Sequence, residues 1–439
     1  MLILTGLVAG VAAVGPAAAQ NLPEYELPPI RYSTAEASNR VTALQARRSA
    51  GEWQPTVGIG RECLRELLGA LEVPVESQVL VFSKTSLQRA LIEPRRPRAL
   101  YFSDEAYVGW VPGGLIEVAV TDPQLGLVFY RFDPGPGEES TRFVRDADCL
   151  SCHGGSLTRN WPGVMVRSVV PDAQGEPMTS MGTFLTGHDS PLEERWGGWY
   201  VTGAHGEARH MGNGFVRATR LGGDALDREA GANVTDLAPF FAAQPYLRGD
   251  SDIVALMVLE HQVGMHNRLV QGALRVRKWM DYQRNLQREL GQPETAEPEG
   301  TALRVVTSET ERIVEHLLFC GEAPLPAGGL RGAGDFEVAF RANRRMDGQG
   351  RSLKDFDLTT RLFRWRCSYM IHSPAFEALP AMLKERVYRR LFEVLEAAEP
   401  PKGFAHLPAA ERVAVKDILV ATTLDARREG STDSPPCSR

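Results

Sequence analysis

The chain has 439 residues, 43% of them apolar and 24% charged, an ordinary balance for a globular protein of one large or two or three smaller domains. Its 49 Lys and Arg stand against 55 Asp and Glu, so the clustered positive charge that nucleic-acid binding needs is missing, and no block of like charge forms a tail.

The first segment, Leu2 to Val14, is apolar and is followed by Pro16 and the small residues Ala17, Ala18 and Ala19. This reads as a secretory signal over residues 1–19, cleaved after Ala19. It lacks the usual basic residue before the apolar run, which leaves a true start further upstream or an N-terminal anchor as the alternatives. No later run reaches the roughly 18 apolar residues of a membrane span, so the mature chain is expected to have no stable span and to be periplasmic or otherwise exported.

Helices are expected at 33–49 and 61–71. Strands follow at 78–82, 99–102, 115–121 and 125–132, rich in Val, Phe, Tyr and Leu and punctuated by Pro, Gly and Asp. Asp133-Pro-Gly-Pro-Gly137 breaks the pattern. A Gly-rich stretch, 154–214, carries Trp161, Trp196 and Trp199. It holds a capping box, Ser190-Pro191-Leu192-Glu193, where a short helix is expected to start, and a strand at 199–202. From Ser251 the periodicity is helical: 251–290, 301–319, 358–371, 374–398 and 409–427, with a Gly/Pro-rich linker over 321–334. The expected fold is α+β, with a strand-rich N-terminal half (20–235) and a helical C-terminal half (236–428). A disordered tail is expected over 429–439.

Six cysteines are present. Cys149 and Cys152 belong to the motif below. Cys63, Cys320, Cys367 and Cys437 allow three disulfide connectivities in an oxidising compartment; Cys320–Cys367 is the preferred pair, against free buried thiols.

Chemistry concentrates in Asp148-Cys149-Leu150-Ser151-Cys152-His153. Two thiols three positions apart match the two vinyl groups on one porphyrin edge, and the next imidazole reaches the iron. A redox dithiol and half of a zinc site are the alternatives; no second C-x-x-C supports zinc and no βαβ setting supports a dithiol. On Cys149, Cys152 and His153 the chain resembles the c-type cytochromes. The resemblance is local: the long chain and the strands around the motif do not match the small helical cytochrome fold. It implies one covalently attached haem c, His153 as axial iron ligand with its other ring nitrogen donating to a fixing acceptor, and a periplasmic redox partner.

The second axial position separates a carrier from an enzyme. His210 is the first candidate and Met181 the second; Met178, His188, His205 and Met211 lie close by. Glu260, His261 and His266, in an apolar helix, are candidate catalytic residues if the opposite side is open. Arg159, Arg167 and Arg195 are candidate propionate partners. Trp161, Trp196 and Trp199 are candidates to pack on the ring. The expected function is electron transfer through Fe(III)/Fe(II); a peroxidase- or oxygenase-type haem oxidoreductase is the alternative, and a sensor or assembly subunit a third class.

Overall fold

The structure is a computed structural model that describes residues 22–136, 140–218 and 224–429. The signal segment, Cys437 and the tail beyond residue 429 lie outside the described residues. Among those residues no helix is long and apolar enough to cross a membrane.

The architecture is α+β, strand-rich in its first half and helical in its second. Two short helices, α1 (Arg40–Ser49) and α2 (Gly60–Ala70), precede the strands. Asn39 caps α1, accepting from the Val41 and Thr42 amides while Thr42 reaches back to the Asn39 amide. Strands β1 (Val79–Val81), β2 (Arg98–Phe102), β3 (Ala106–Trp110), β4 (Ile116–Asp122), β5 (Gly126–Phe132) and β6 (Phe143–Arg145) form consecutive antiparallel pairs. The one-turn helix α3 (Leu150–His153) carries the motif. It is followed by the hairpin of β7 (Arg167–Val169) with β8 (Thr183–Leu185), and by β9 (Trp199–Tyr200), which closes the sheet beside β1. The sheet order is β6-β5-β4-β3-β2-β1-β9.

The second half is built on α4 (Ile253–Glu289), a 37-residue helix. Asp252 starts it: its carboxylate accepts from the Val254 and Ala255 amides and also from Ala333 and Gly334, tying a distant loop to the helix start. Nearly every residue from Ile253 to Met265 is buried, so this stretch serves as a central post rather than a surface helix. Around it lie α5 (Gly300–Leu317), α6 (Phe336–Arg341), α7 (Pro374–Glu377), α8 (Ala381–Glu396) and α9 (Ala409–Glu429). Where α4 passes the sheet, Gly126 at φ +81° makes the β4–β5 turn, and a Cβ there would come within 2.5 Å of Val270. One continuous apolar core includes residues on both sides of position 235, from Tyr25 to Leu419.

Three expectations are corrected. Residues 358–371 form turns ending in a single 3-10 turn, Tyr369–His372, not a helix. Asp357 draws in the Thr359 and Thr360 amides, Leu358 sits at φ +58°, and Phe356 stacks on Phe363. The helix expected over 374–398 is split, because Pro380 cannot continue α7 and instead precedes α8. The short helix expected from Ser190 is only a 3-10 turn, Leu192–Glu194, with no side-chain cap; the Ser190 hydroxyl accepts from the Gly187 amide instead.

Cys320 and Cys367 are free thiols, as is Cys63. Cys367 is sealed in the core, while the Cys320 thiol lies 3.5 Å from the Gly403 carbonyl, so the preferred disulfide does not form.

Candidate functional site

Asp146 starts the turn that leads into α3 by accepting from the Asp148 amide, and the helical turn places Cys149 and Cys152 three residues apart on one face. His153 ends α3. Its Nδ1 lies 2.8 Å from the Gly163 carbonyl, so Nδ1–H donates there and Nε2 keeps its lone pair. Burial lowers the His153 pKa, holding the ring neutral, the form a metal ion requires. The ring packs on Phe129 of β5, centroids 4.8 Å apart.

The acceptor segment is itself fixed by α4. Asn267 accepts from the Val164 amide at 3.0 Å and donates to the Val164 carbonyl at 2.7 Å. A Cβ on Gly163 would meet the Asn267 amide oxygen at 2.7 Å, so only glycine lets this loop lie so close to the helix. The orientation of the His153 imidazole therefore traces back through Gly163 and Val164 to the central post.

Cys149, Cys152 and His153 all line one cleft, whose non-atom space including its open mouth is about 1320 Å³. Its walls are mainly apolar: Leu100, Val118 and Phe129 from the sheet, Leu259 and Val263 from α4, and Trp199 from β9. Arg98 and Arg167 also line it, and the Ser83 hydroxyl there is buried without a partner. A mainly apolar cleft lined by two thiols, a neutral imidazole, Arg167 and an Arg98 already paired with Glu117 has the residue types that would hold haem c.

The two alternatives for the motif fare less well. Burial, reinforced by Asp146, pushes the Cys149 thiol up to about 12, the opposite of the depressed value an attacking dithiol needs. Among the described residues, the only group of three or more His, Cys, Asp or Glu converging like metal ligands is His188, His261 and His316, so the motif does not form a zinc site on its own.

The other expected residues divide. Of the arginines and tryptophans, Arg167 and Trp199 line the cleft, joined by a 2.8 Å hydrogen bond from the Trp199 indole to the Arg167 carbonyl. Arg195 is instead buried against Glu260 at 2.7 Å. His210 and Met181 do not line the cleft. His210 is buried between Trp196 and His205, and Met181 stands 36% exposed on a 3-10 turn. The cleft holds a thioether that sequence reasoning passed over, Met165, twelve residues beyond His153 in Val164-Met165-Val166.

Glu260, His261 and His266 are all buried but do not line the cleft; Leu259 and Val263 do. His266 reaches it through Tyr107. Thr121 donates its hydroxyl proton to the Glu105 carbonyl and so accepts from His266 Nε2–H; His266 Nδ1 then accepts from the Tyr107 hydroxyl, 3.1 Å away. Tyr107 is a cleft residue.

Buried neutral histidines set the acid stability. Burial lowers His210, His266 and His372 to about 3. Unfolded histidines protonate near 6.5, so between pH 6.5 and 3 the unfolded chain binds more protons and stability falls with pH. Above pH 4.5 buried carboxyls such as Glu322, raised to about 7 by burial, offset this; below 4.5 they no longer do. The three histidines together then cost roughly 4 kcal/mol per pH unit, at about 1.4 each. Urea midpoints measured from pH 7 to 3 are expected to fall most steeply below 4.5; a flat profile there contradicts the assignment.

Comparison with protein-family models, with curated proteins and with solved structures finds no match to this chain.

Proposed function

We propose that the protein is an exported monohaem c-type protein that carries electrons to or from a periplasmic partner. The observation that carries this is the apolar cleft with Cys149, Cys152 and a neutral His153 on one wall. When bound, the haem supplies a one-electron iron couple. Cys149 and Cys152 would hold it by thioether bonds and His153 Nε2 would ligate the iron, with Gly163 fixing the ring. Arg167 would take its carboxylates, with Arg98, already paired with Glu117, as the second guanidinium in the lining. Leu259, Val263 and Phe129 exclude water, and the Met165 thioether in the same cleft would be a second group able to ligate the iron.

The test is to make the protein in a host that matures c-type haem and extract it with acid and organic solvent. Pyridine treatment is expected to show one covalently retained haem per chain; absence of retained pigment overturns the proposal. Replacing Met165 by His is then expected to lower the midpoint potential by on the order of 0.1 V, within the roughly 0.8 V that axial ligation spans. An unchanged potential and ligand field remove Met165 from the site.

The Tyr107–His266 pair favours a second reading, a haem oxidoreductase, because it sets a hydroxyl held by a buried imidazole among the cleft walls, where it could orient a ligand. High-spin ferric haem that binds cyanide and peroxide supports it; low-spin haem inert to both supports the carrier.

A further inference from the structure

Besides the cleft, a second set of residues has the chemistry of a ligand site. His188, His261 and His316 come from the loop after β8, from α4 and from α5. Each offers a ring nitrogen, and these nitrogens lie within 4.8 Å of one another. All three rings are buried. His188 Nδ1 and His261 Nδ1 are 2.9 Å apart, a separation at which two lone pairs face each other unless a proton or a cation lies between them.

The outer nitrogens have acceptors of their own. His188 Nε2 lies 3.4 Å from the Cys320 carbonyl, His261 Nε2 2.7 Å from the Ser368 hydroxyl, and His316 Nε2 3.3 Å from the His261 carbonyl. Outer acceptors of this kind set tautomer and orientation for imidazoles that ligate a metal. With the protons placed on the outer nitrogens, Nδ1 of each ring carries a lone pair.

The packing also keeps the rings close. A Cβ on Gly264 of α4 would come within 2.8 Å of His316 Nε2, so a helix-interior glycine is needed for α5 to bring this ring in. Phe319 stacks on His261 at 4.2 Å and on His188 at 5.2 Å, giving an apolar wall. Burying three imidazoles is costly unless their nitrogens are satisfied, and a cation satisfies the inner ones together.

We infer that His188, His261 and His316 form a binding site for one late first-row transition ion, copper or zinc, separate from the haem cleft. Imidazole ligands suit both ions. Arg268, whose charge acts on all three rings, makes added positive charge costly and so favours singly charged cuprous copper. The site shares α4 with the cleft. Leu259 and Val263 line the cleft while His261, two residues from each, points to the opposite side of the helix. The two centres are thus separated by about one helix diameter, roughly 10 Å.

The test uses the full mature chain, grown with copper or with zinc and dialysed against a chelator. Metal analysis is expected to give one copper or zinc per chain in addition to haem iron, and X-ray absorption at that metal's edge to show three imidazole nitrogens without sulfur. Ser368→Ala, which keeps all three imidazoles, is expected to weaken retention about tenfold; His188→Asn and His261→Asn by on the order of 100-fold. Less than a tenth of an equivalent in the wild type, a sulfur-containing shell, or full retention by a folded His188→Asn chain overturns the inference. The wild-type absorption spectrum decides even where a histidine variant fails to fold. Haem content, read separately, keeps this result distinct from the fate of the haem proposal.

Discussion

Replacing both Cys149 and Cys152 by Ala is expected to reduce covalently retained haem to background while leaving a folded chain. The two sulfurs sit on the rim of the cleft; Cys152 is exposed and Cys149 half-buried, so neither is a core element whose loss collapses packing. Cys152→Ala alone is expected to leave one thioether at Cys149, and haem then survives extraction in reduced yield with an altered pyridine spectrum. The double variant can still hold haem through His153 and the apolar walls, but that haem leaves on acid and organic extraction. The variant lacks the stabilisation a tightly bound ligand confers on the native state, so its melting temperature becomes dependent on added haem. Retained pigment in the double variant would mean that the porphyrin is attached elsewhere, and the cleft would lose its assignment.

Much of this site was legible because the motif is local. Six consecutive residues carry thiols and imidazole, and one helical turn suffices to array them. The buried start of α4 was equally legible, since Ile253 to Leu259 is apolar all round and Asp252 caps it. The losses have physical causes. Strand β3 was missed because Gly109 and the flanking Gly113-Gly114 interrupt a short run, although the Arg98 side chain fills the space above Gly109. The place of Met165 in the cleft left only a weak local signal, a thioether between two valines just after Gly163. The histidine trio could not be read at all. His188 and His261 are 73 residues apart and His261 and His316 are 55 apart, on elements that only the tertiary fold brings together.

The core ion pair gives the largest expected stability effect. Arg195→Met is expected to destabilise the fold by about 3–5 kcal/mol, read from urea denaturation at pH 7, because it strands Glu260 in the buried N-terminal part of α4. Arg195 and Glu260 are 2% and 0% exposed and bonded at 2.7 Å. Burial raises the Glu260 carboxyl, and Arg195 pulls it back down. Without the guanidinium the folded pKa rises further above the unfolded value near 4.5, so the deficit grows as pH rises through and above 4.5 and shrinks below it. Arg195→Met/Glu260→Leu removes the stranded charge and is expected to recover part of the loss. Recovery stays incomplete because the guanidinium also donates to the Ser190 carbonyl at 2.6 and 2.9 Å and to the His188 carbonyl at 3.2 Å. Those bonds hold the loop that brings His188 to His261, so both variants are also expected to loosen metal retention at the histidine trio. A loss below about 1 kcal/mol in Arg195→Met, with no recovery in the double variant, would show that Glu260 is neutral in the native protein and that the pair adds nothing to the core.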